Sequence, residues 1–234
     1  MHIPDGFLSP AILIATFVIT IIFWIISFKK VKLTEQQIPI MALLTALFFA
    51  AMMINIPIIG GATAHLLGAA LIGLLLGPFA GCISMTIILV LQAFLFGDGG
   101  LTALGANILN MGVIGVFVPV AIFLVLSKVL KVKTAGTKLF AIIFISAFAG
   151  DVLAAIAAGT ELGLSAPIWY GLSVAVPAMA MSHSIVGVVE GVVAVILIGA
   201  LLKLRPDVIE KSPIMGKLPI FQNKKDTVKQ QGVE

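Results

Sequence analysis

Seven long apolar runs, separated by short polar or Gly/Pro-rich breaks, organise this chain from residue 7 to residue 202. None alternates with the period of a half-buried strand, and each is long for a buried strand, so the pattern predicts helices. The expected helices are 7–28, 38–55, 63–76, 78–96, 103–127, 137–159 and 173–202. The breaks are Thr34-Glu35-Gln36, Pro57 to Gly61, Gly77-Pro78, Gly97-Asp98-Gly99-Gly100, Lys128 to Lys138 and Glu161 to Trp169. Such clusters are the usual punctuation between elements. The first run alone is long enough for a bilayer, which needs about 20 residues.

Composition changes this from a helical chain to a membrane chain. Hydrophobic residues make up 61% and charged residues 10%, against about 45–50% and about 25% in soluble domains. Mean hydropathy is +1.23. The expected fold is an all-α integral-membrane domain over 1–202, with a polar cytoplasmic tail over 203–234. The single cysteine, Cys82, excludes an internal disulfide and any cysteine cluster.

Charge then orients the bundle. Lys29, Lys30 and Lys32 follow the first run, Lys128, Lys131, Lys133 and Lys138 separate the fifth from the sixth, and the tail carries the remaining seven of the fourteen Lys and Arg. Basic residues collect on the cytoplasmic side of membrane proteins. Seven spans with the N-terminus outside and the C-terminus inside satisfy that rule completely. Asp5, Asp98 and Glu161 are then the formal charges of the outward segments. The net charge of +4 follows from this asymmetry and makes no case for nucleic acid. Residues 1–7 lack the basic stretch of a cleavable signal, so Met1 is expected to be the mature terminus, retained because His2 is bulky.

The third run is short. Between Gly61 and Gly77 it offers about 15 helical residues, roughly 22 Å, against a hydrocarbon core of about 30 Å. The uncharged stretch from Asn55 to Ala64 should therefore dip below the outer surface, packed in protein or lining a cavity. His65 stands where that dip meets the helix.

Met1-His2 carries the sharpest candidate chemistry. A free amine, the His2 amide nitrogen and the His2 ring Nδ1 can close adjacent chelate rings on one small divalent ion. Planar nitrogen ligation of that kind favours Ni(II) or Cu(II). The plain alternative is an exposed terminal histidine. Pro4 and Gly6 bend the segment, and topology points it down into the bundle toward His65, the natural fourth donor. His65 can equally be structural, bonded to a helix-end carbonyl.

Other polar residues have paired readings. His183 and Glu190, seven apart on one helix face, suit either an exit or gating path or a polar pair that fixes packing. Asp151 with Glu190 could relay protons in a stand-alone secondary transporter. Gln92, Asn107 and Asn110 can hold the N-terminal segment or bond helix to helix. Asp5 and Asp98 are further acidic candidates near the outer site. Ala42, Ala46 and Ala50 form a small-residue stripe fit for internal packing or for a second membrane subunit. No phosphate-binding loop, HExxH motif or glycine-framed nucleophile around Ser84 occurs, and no enzymatic activity is expected.

Four ordered motifs carry a family resemblance over about residues 1–202. They are Met1-His2-Ile3-Pro4-Asp5-Gly6-Phe7-Leu8, Ala64-His65-Leu66-Leu67-Gly68, the run from Leu95 to Asn107, and His183 with Gly187 and Glu190-Gly191. They resemble the CbiM/NikM family, the substrate-capturing membrane subunits of energy-coupling-factor transporters for cobalt and nickel. The opening is closer to the nickel type than to cobalt-type members, which often begin Met-His-Ile-Met-Glu-Gly. The resemblance implies seven spans and a metal held by the Met1 amine, the His2 amide and imidazole, and the His65 imidazole. It also implies a transmembrane coupling subunit, cytoplasmic ATPase subunits and a small membrane helper, in a bacterial or archaeal cytoplasmic membrane. Ni(II), then Co(II), is the expected cargo, and the alanine stripe would suit the coupling subunit.

Overall fold

The computed structural model describes residues 1–54, 56–57, 63–165 and 171–221. Among the described residues the regular structure is helical apart from one two-residue ladder. Helix α1 is Pro10–Lys30 and α2 is Gln37–Met52. Strands β1 (Ile56–Pro57) and β2 (Thr63–Ala64) pair antiparallel, with Ile56 opposite Ala64. Helix α3 is Ala69–Leu76. Helix α4, Pro78–Leu91, continues as a π turn over Gln92–Phe96. Helix α5, Leu104–Asn107, runs through a second π turn, Ile108–Ile114, into α6, Gly115–Val129. Helices α7 (Thr137–Leu164), α8 (Leu172–Leu204) and the short α9 (Pro206–Glu210) complete the order, before a 3₁₀ turn at Met215–Lys217.

Five of these helical units are long and apolar enough to cross a membrane: Pro10–Lys30, Pro78–Phe96, Leu104–Val129, Thr137–Leu164 and Leu172–Leu204. The other two apolar segments are α2, with 16 residues, and α3, with eight. Apolar side chains such as Ile14, Ile22, Val129 and Ile196 are exposed around the outside. That is the surface expected when lipid is the solvent.

Helix α3 is the centre of the bundle, and all eight of its residues are buried. It starts six residues later than the apolar pattern predicts. Gly68 stands in the left-handed region at φ +69°, and a Cβ there would meet the Phe48 ring at 2.0 Å. Only glycine tolerates both demands, so the helix cannot propagate upstream through residue 68. The expected dip from Asn55 to Ala64 lies mostly outside the described residues.

Helix α7 overruns its expected end by five residues and turns Glu161 from a loop charge into a buried group of the last turn. Its carboxyl accepts a 2.7 Å hydrogen bond from Asn110 Nδ2, which gives the buried group a polar partner inside the bundle. The expected loop is thereby shortened, and its residues 166–170 lie outside the described ones. Helices α7 and α8 pack closely, with Gly187 against Phe148 and Gly191 against Phe144. Small residues allow such approach between membrane helices.

The two ends of the bundle differ. At one end Lys30 lies over the Phe79 ring, 5.6 Å from its centre. There too Ser212 Oγ donates to Leu74 O at 2.7 Å, and Gln37 Nε2 to Lys211 O at 3.1 Å. This is the end where α1, α6 and α8 finish in Lys29, Lys30, Lys128 and Lys203. Ile209, Ile214, Met215, Leu218 and Phe221 are buried here. The N-terminal segment folds into the opposite end.

Candidate metal centre

Residues 1–9 form no helix, yet Met1, Ile3 and Leu8 are buried. A chain terminus is ordinarily loose, so this one needs anchors, and it has several. Asn107 brackets Ile3: its Oδ1 accepts from Ile3 N–H at 2.8 Å and its Nδ2 donates to Ile3 O at 3.1 Å. Gly100 N–H donates to the same carbonyl at 2.9 Å. Asp5 accepts from the backbone N–H groups of Leu101 and Thr102, at 3.1 and 2.7 Å, and from the Thr102 hydroxyl. The Thr102 hydrogen bonds hold the Asp5 carboxyl below its usual range. At the entry to α1, Ser9 N–H donates to Ser165 Oγ at 3.0 Å.

Two polar side chains around the segment stand where helices widen into π turns. Gln92 opens the turn that ends α4, and Asn107 directly precedes the turn between α5 and α6. An extra residue in a helical turn re-aims the side chains beside it, and such turns often occur at functional sites. Gln92 Oε1 lies 3.1 Å from His2 Nε2. An amide oxygen accepts, so His2 Nε2 carries the ring proton and Nδ1 keeps its lone pair.

That lone pair faces the second histidine. His2 Nδ1 is 3.1 Å from His65 Nε2, with ring centres 4.9 Å apart and planes tilted by 47°. Two neighbouring donors, each about 2.0 Å from one ion in a square plane, lie roughly 2.8 Å apart. The observed spacing is close to that value. Burial lowers the Met1 amine from its ordinary pKa and lowers the rings of His2 and His65 as well. All three nitrogens therefore favour the neutral, lone-pair form that a cation needs. Asp98 Oδ1, 3.6 Å from His2 Nδ1, is the nearby carboxylate. Among the described residues no three His, Cys, Asp or Glu side chains converge on one point. The convergence here is of two imidazoles and the buried start of the chain.

The remaining candidates have separate partners. Glu190 accepts from the backbone N–H groups of Leu67 and Gly68. His183 does not pair with it; His183 Nδ1 lies 3.1 Å from Asp151 Oδ2, both groups buried. Among the described residues Asn110 makes no hydrogen bond to the N-terminal segment; its Nδ2 donates to Glu161 instead. Ala42, Ala46 and Ala50 are exposed, on the side of α2 away from buried Leu44, Phe48 and Met52. Their stripe is not internal packing of the described chain. Sequence reasoning missed the Asp151–His183 contact and the grip of Glu190 on the break before α3. A carboxylate in an apolar helix signals that donors must be near, but which donors is a tertiary fact.

Comparison with known proteins places the chain in a family. Residues 2–208 match the family described as cobalt uptake substrate-specific transmembrane region, CbiM. The chain is 39% identical over 223 residues to a fused nickel transport protein of Rhodobacter capsulatus, covering 89% of this chain and 64% of that one. It is 33% identical over 171 residues to a cobalt transport protein of Lachnoclostridium phytofermentans, covering 71% and 66%. A crystal structure of a truncated transition metal transporter superposes with a TM-score of 0.78 at 39% identity, covering 87% of this chain and 99% of that one.

Proposed function

This chain belongs to the CbiM family, and from that premise we propose that it is the substrate-binding component of an energy-coupling-factor transporter for divalent transition metal, Ni(II) first and Co(II) next. The single observation that carries the reading is His2 Nδ1 facing His65 Nε2 at 3.1 Å beside the buried Met1. The proposed ligands are the Met1 amine, the His2 amide and Nδ1, and His65 Nε2. Planar nitrogen ligation selects against ions that want oxygen or tetrahedral sulfur.

The rest of the proposal concerns topology and partners. Five long helices with α2 and α3 make a seven-span chain whose N-terminus is outside and whose basic end faces the cytoplasm. The metal-capturing domain is 1–202, followed by the tail 203–234, in a bacterial or archaeal cytoplasmic membrane. This component binds metal and is not an enzyme. ATP-driven reorientation is supplied by a coupling subunit, docked on Ala42, Ala46 and Ala50, with cytoplasmic ATPase subunits and a small membrane helper. A proton-coupled secondary transporter is less well supported, because Asp151 is paired with His183 and Glu190 is engaged by backbone N–H groups.

Metal content and the visible spectrum of protein with an untouched N-terminus test the reading. About one nickel per chain is expected, with a diamagnetic square-planar signature. One residue added before Met1 is expected to abolish it, and unchanged metal content in that variant would overturn the ligand set.

A further inference from the structure

At the basic end, far from the metal centre, α6 stops and the segment after α9 folds back beside it. Between them lies an open groove of about 410 Å³. Lys128, Lys131, Lys133 and Lys217 line it, and among the described residues no carboxylate does. Its floor is apolar, with Val132, Ile214 and Leu218 buried around it. Leu124, 42% exposed, opens the groove onto the apolar outer face of α6. The site is thus amphipathic in a fixed direction, cationic at the bundle end and greasy toward the lipid face.

Two observations go beyond the ordinary enrichment of lysine on one side of a membrane protein. Ser127 lines the groove with its hydroxyl buried and without a hydrogen-bond partner among the described residues. Ser127 is 6% exposed, and a hydroxyl buried that deeply ordinarily finds a partner. The second is backbone conformation. Lys131 has φ +47° and is the one non-glycine with positive φ among the described residues. Val132 N–H donates to Ser127 O at 3.1 Å and Lys131 N–H to Lys128 O at 3.3 Å. This is the C-terminal turn in which glycine or asparagine normally takes the left-handed position. A lysine there is locally unfavourable, and residues that break a local rule concentrate at functional sites.

We propose that this groove binds one anionic phospholipid, its phosphate among Lys128, Lys131, Lys133, Lys217 and the Ser127 hydroxyl, its acyl chains along Leu124 and the outer face of α6. A phosphate offers acceptors to four ammonium groups and to the orphan Ser127 hydroxyl, and the apolar mouth suits the chains. Basic pockets beside membrane helices recognise anionic headgroups in this way.

The test titrates the detergent-purified chain with phosphatidylglycerol and, separately, with phosphatidylcholine of the same chains, counting retained lipid by native mass spectrometry. One phosphatidylglycerol should persist where phosphatidylcholine is lost. Combined Lys128→Gln, Lys131→Gln, Lys133→Gln and Lys217→Gln should weaken retention by at least about tenfold, from the attraction each lysine contributes. Lys29→Gln with Lys30→Gln, on the same end but outside the groove, should leave it unchanged. Should the fourfold variant fold poorly, Lys131→Gly serves instead. It should unfold at a higher temperature in phosphatidylcholine, because glycine relieves the backbone, yet retain less phosphatidylglycerol. Equal retention of the two lipids by the wild type overturns the proposal. So does displacement by inorganic phosphate alone, which would mark a simple anion site. Unchanged retention in the lysine variants, with transport lost when coupling subunits are present, would assign the lysines to a protein interface and overturn it equally.

Discussion

Glu190 and Gly68, 122 residues apart in the chain, meet where both carboxylate oxygens accept from one backbone N–H, at 3.1 and 3.2 Å. The neighbouring Leu67 N–H donates to the same carboxylate. These are the amides left unpaired where the chain breaks before α3. Because His65 lies at the start of that break, Glu190 is expected to act on it as a positioning residue. Glu190→Ala would leave two buried N–H groups without acceptors, about 1–3 kcal/mol each. The expected outcome is a lower unfolding temperature together with weaker metal binding. His65→Ala should weaken metal binding with far less loss of stability. Parallel thermal melts and metal titrations on the two variants separate the roles, and an unaltered melt for Glu190→Ala would refute the positioning account.

Asn107 makes the only pair of reciprocal side-chain bonds to the N-terminal segment seen among the described residues, one to each polar group of Ile3. Asn107→Ala removes both, a loss of about 2 kcal/mol in the docking of that segment at roughly 1 kcal/mol per bond. If docking and metal binding are linked, affinity falls by the corresponding factor, about 30-fold. Isothermal titration with Ni(II) measures it. Asn110→Ala is the control, since its amide bonds Glu161 instead; it should lower stability while sparing affinity per folded molecule.

Gly100 tests docking by steric means. A Cβ at this position would lie 2.3 Å from Asp5 Oδ1 and 2.4 Å from Asp5 N. The backbone atom cannot yield as a flexible side chain would, so Gly100→Ala must push the N-terminal segment outward. The helical bundle is not in the way. We expect normal helical content by circular dichroism and loss of metal binding. Retained binding would show that the segment can dock by another path.

Much of this was legible in the residues, for identifiable reasons. Helices that face lipid are apolar on all sides, so long runs such as 10–30 declare themselves without any periodicity. Met1-His2 and His65 stand out because chelating nitrogens are rare in such a chain, and Gln92 and Asn107 because a lone amide in an apolar helix needs a partner. The start of α3 was not legible. It depends on Phe48 filling the space a Cβ at Gly68 would need, and on Glu190 supplying acceptors from 122 residues away. Glu161 misleads for the same reason: as a charge beside a break it reads as a loop residue, until Asn110 meets it inside the bundle. Local patterns report which groups need partners, and tertiary contacts decide who the partners are.

Asp5 yields a prediction about pH. Its carboxyl is held below the ordinary value of 3.8 by the Thr102 hydroxyl and by backbone N–H groups. A carboxyl whose folded pKa is depressed contributes fully above its unfolded value, and the contribution is lost only as pH falls through the lower folded one. The Asp5 clamp on Leu101 and Thr102 is therefore constant from about pH 5 to about pH 8. Protons released on metal binding affect wild type and variant alike. Asp5→Asn, which loses the charge and one acceptor oxygen, should weaken metal binding by a factor that stays the same across the window. Titrations of both proteins at several pH values measure the ratio. A ratio that drifts toward one as pH falls from 8 to about 5 would show that Asp5 itself titrates there, and would remove the clamp from the account of how the N-terminal segment is held.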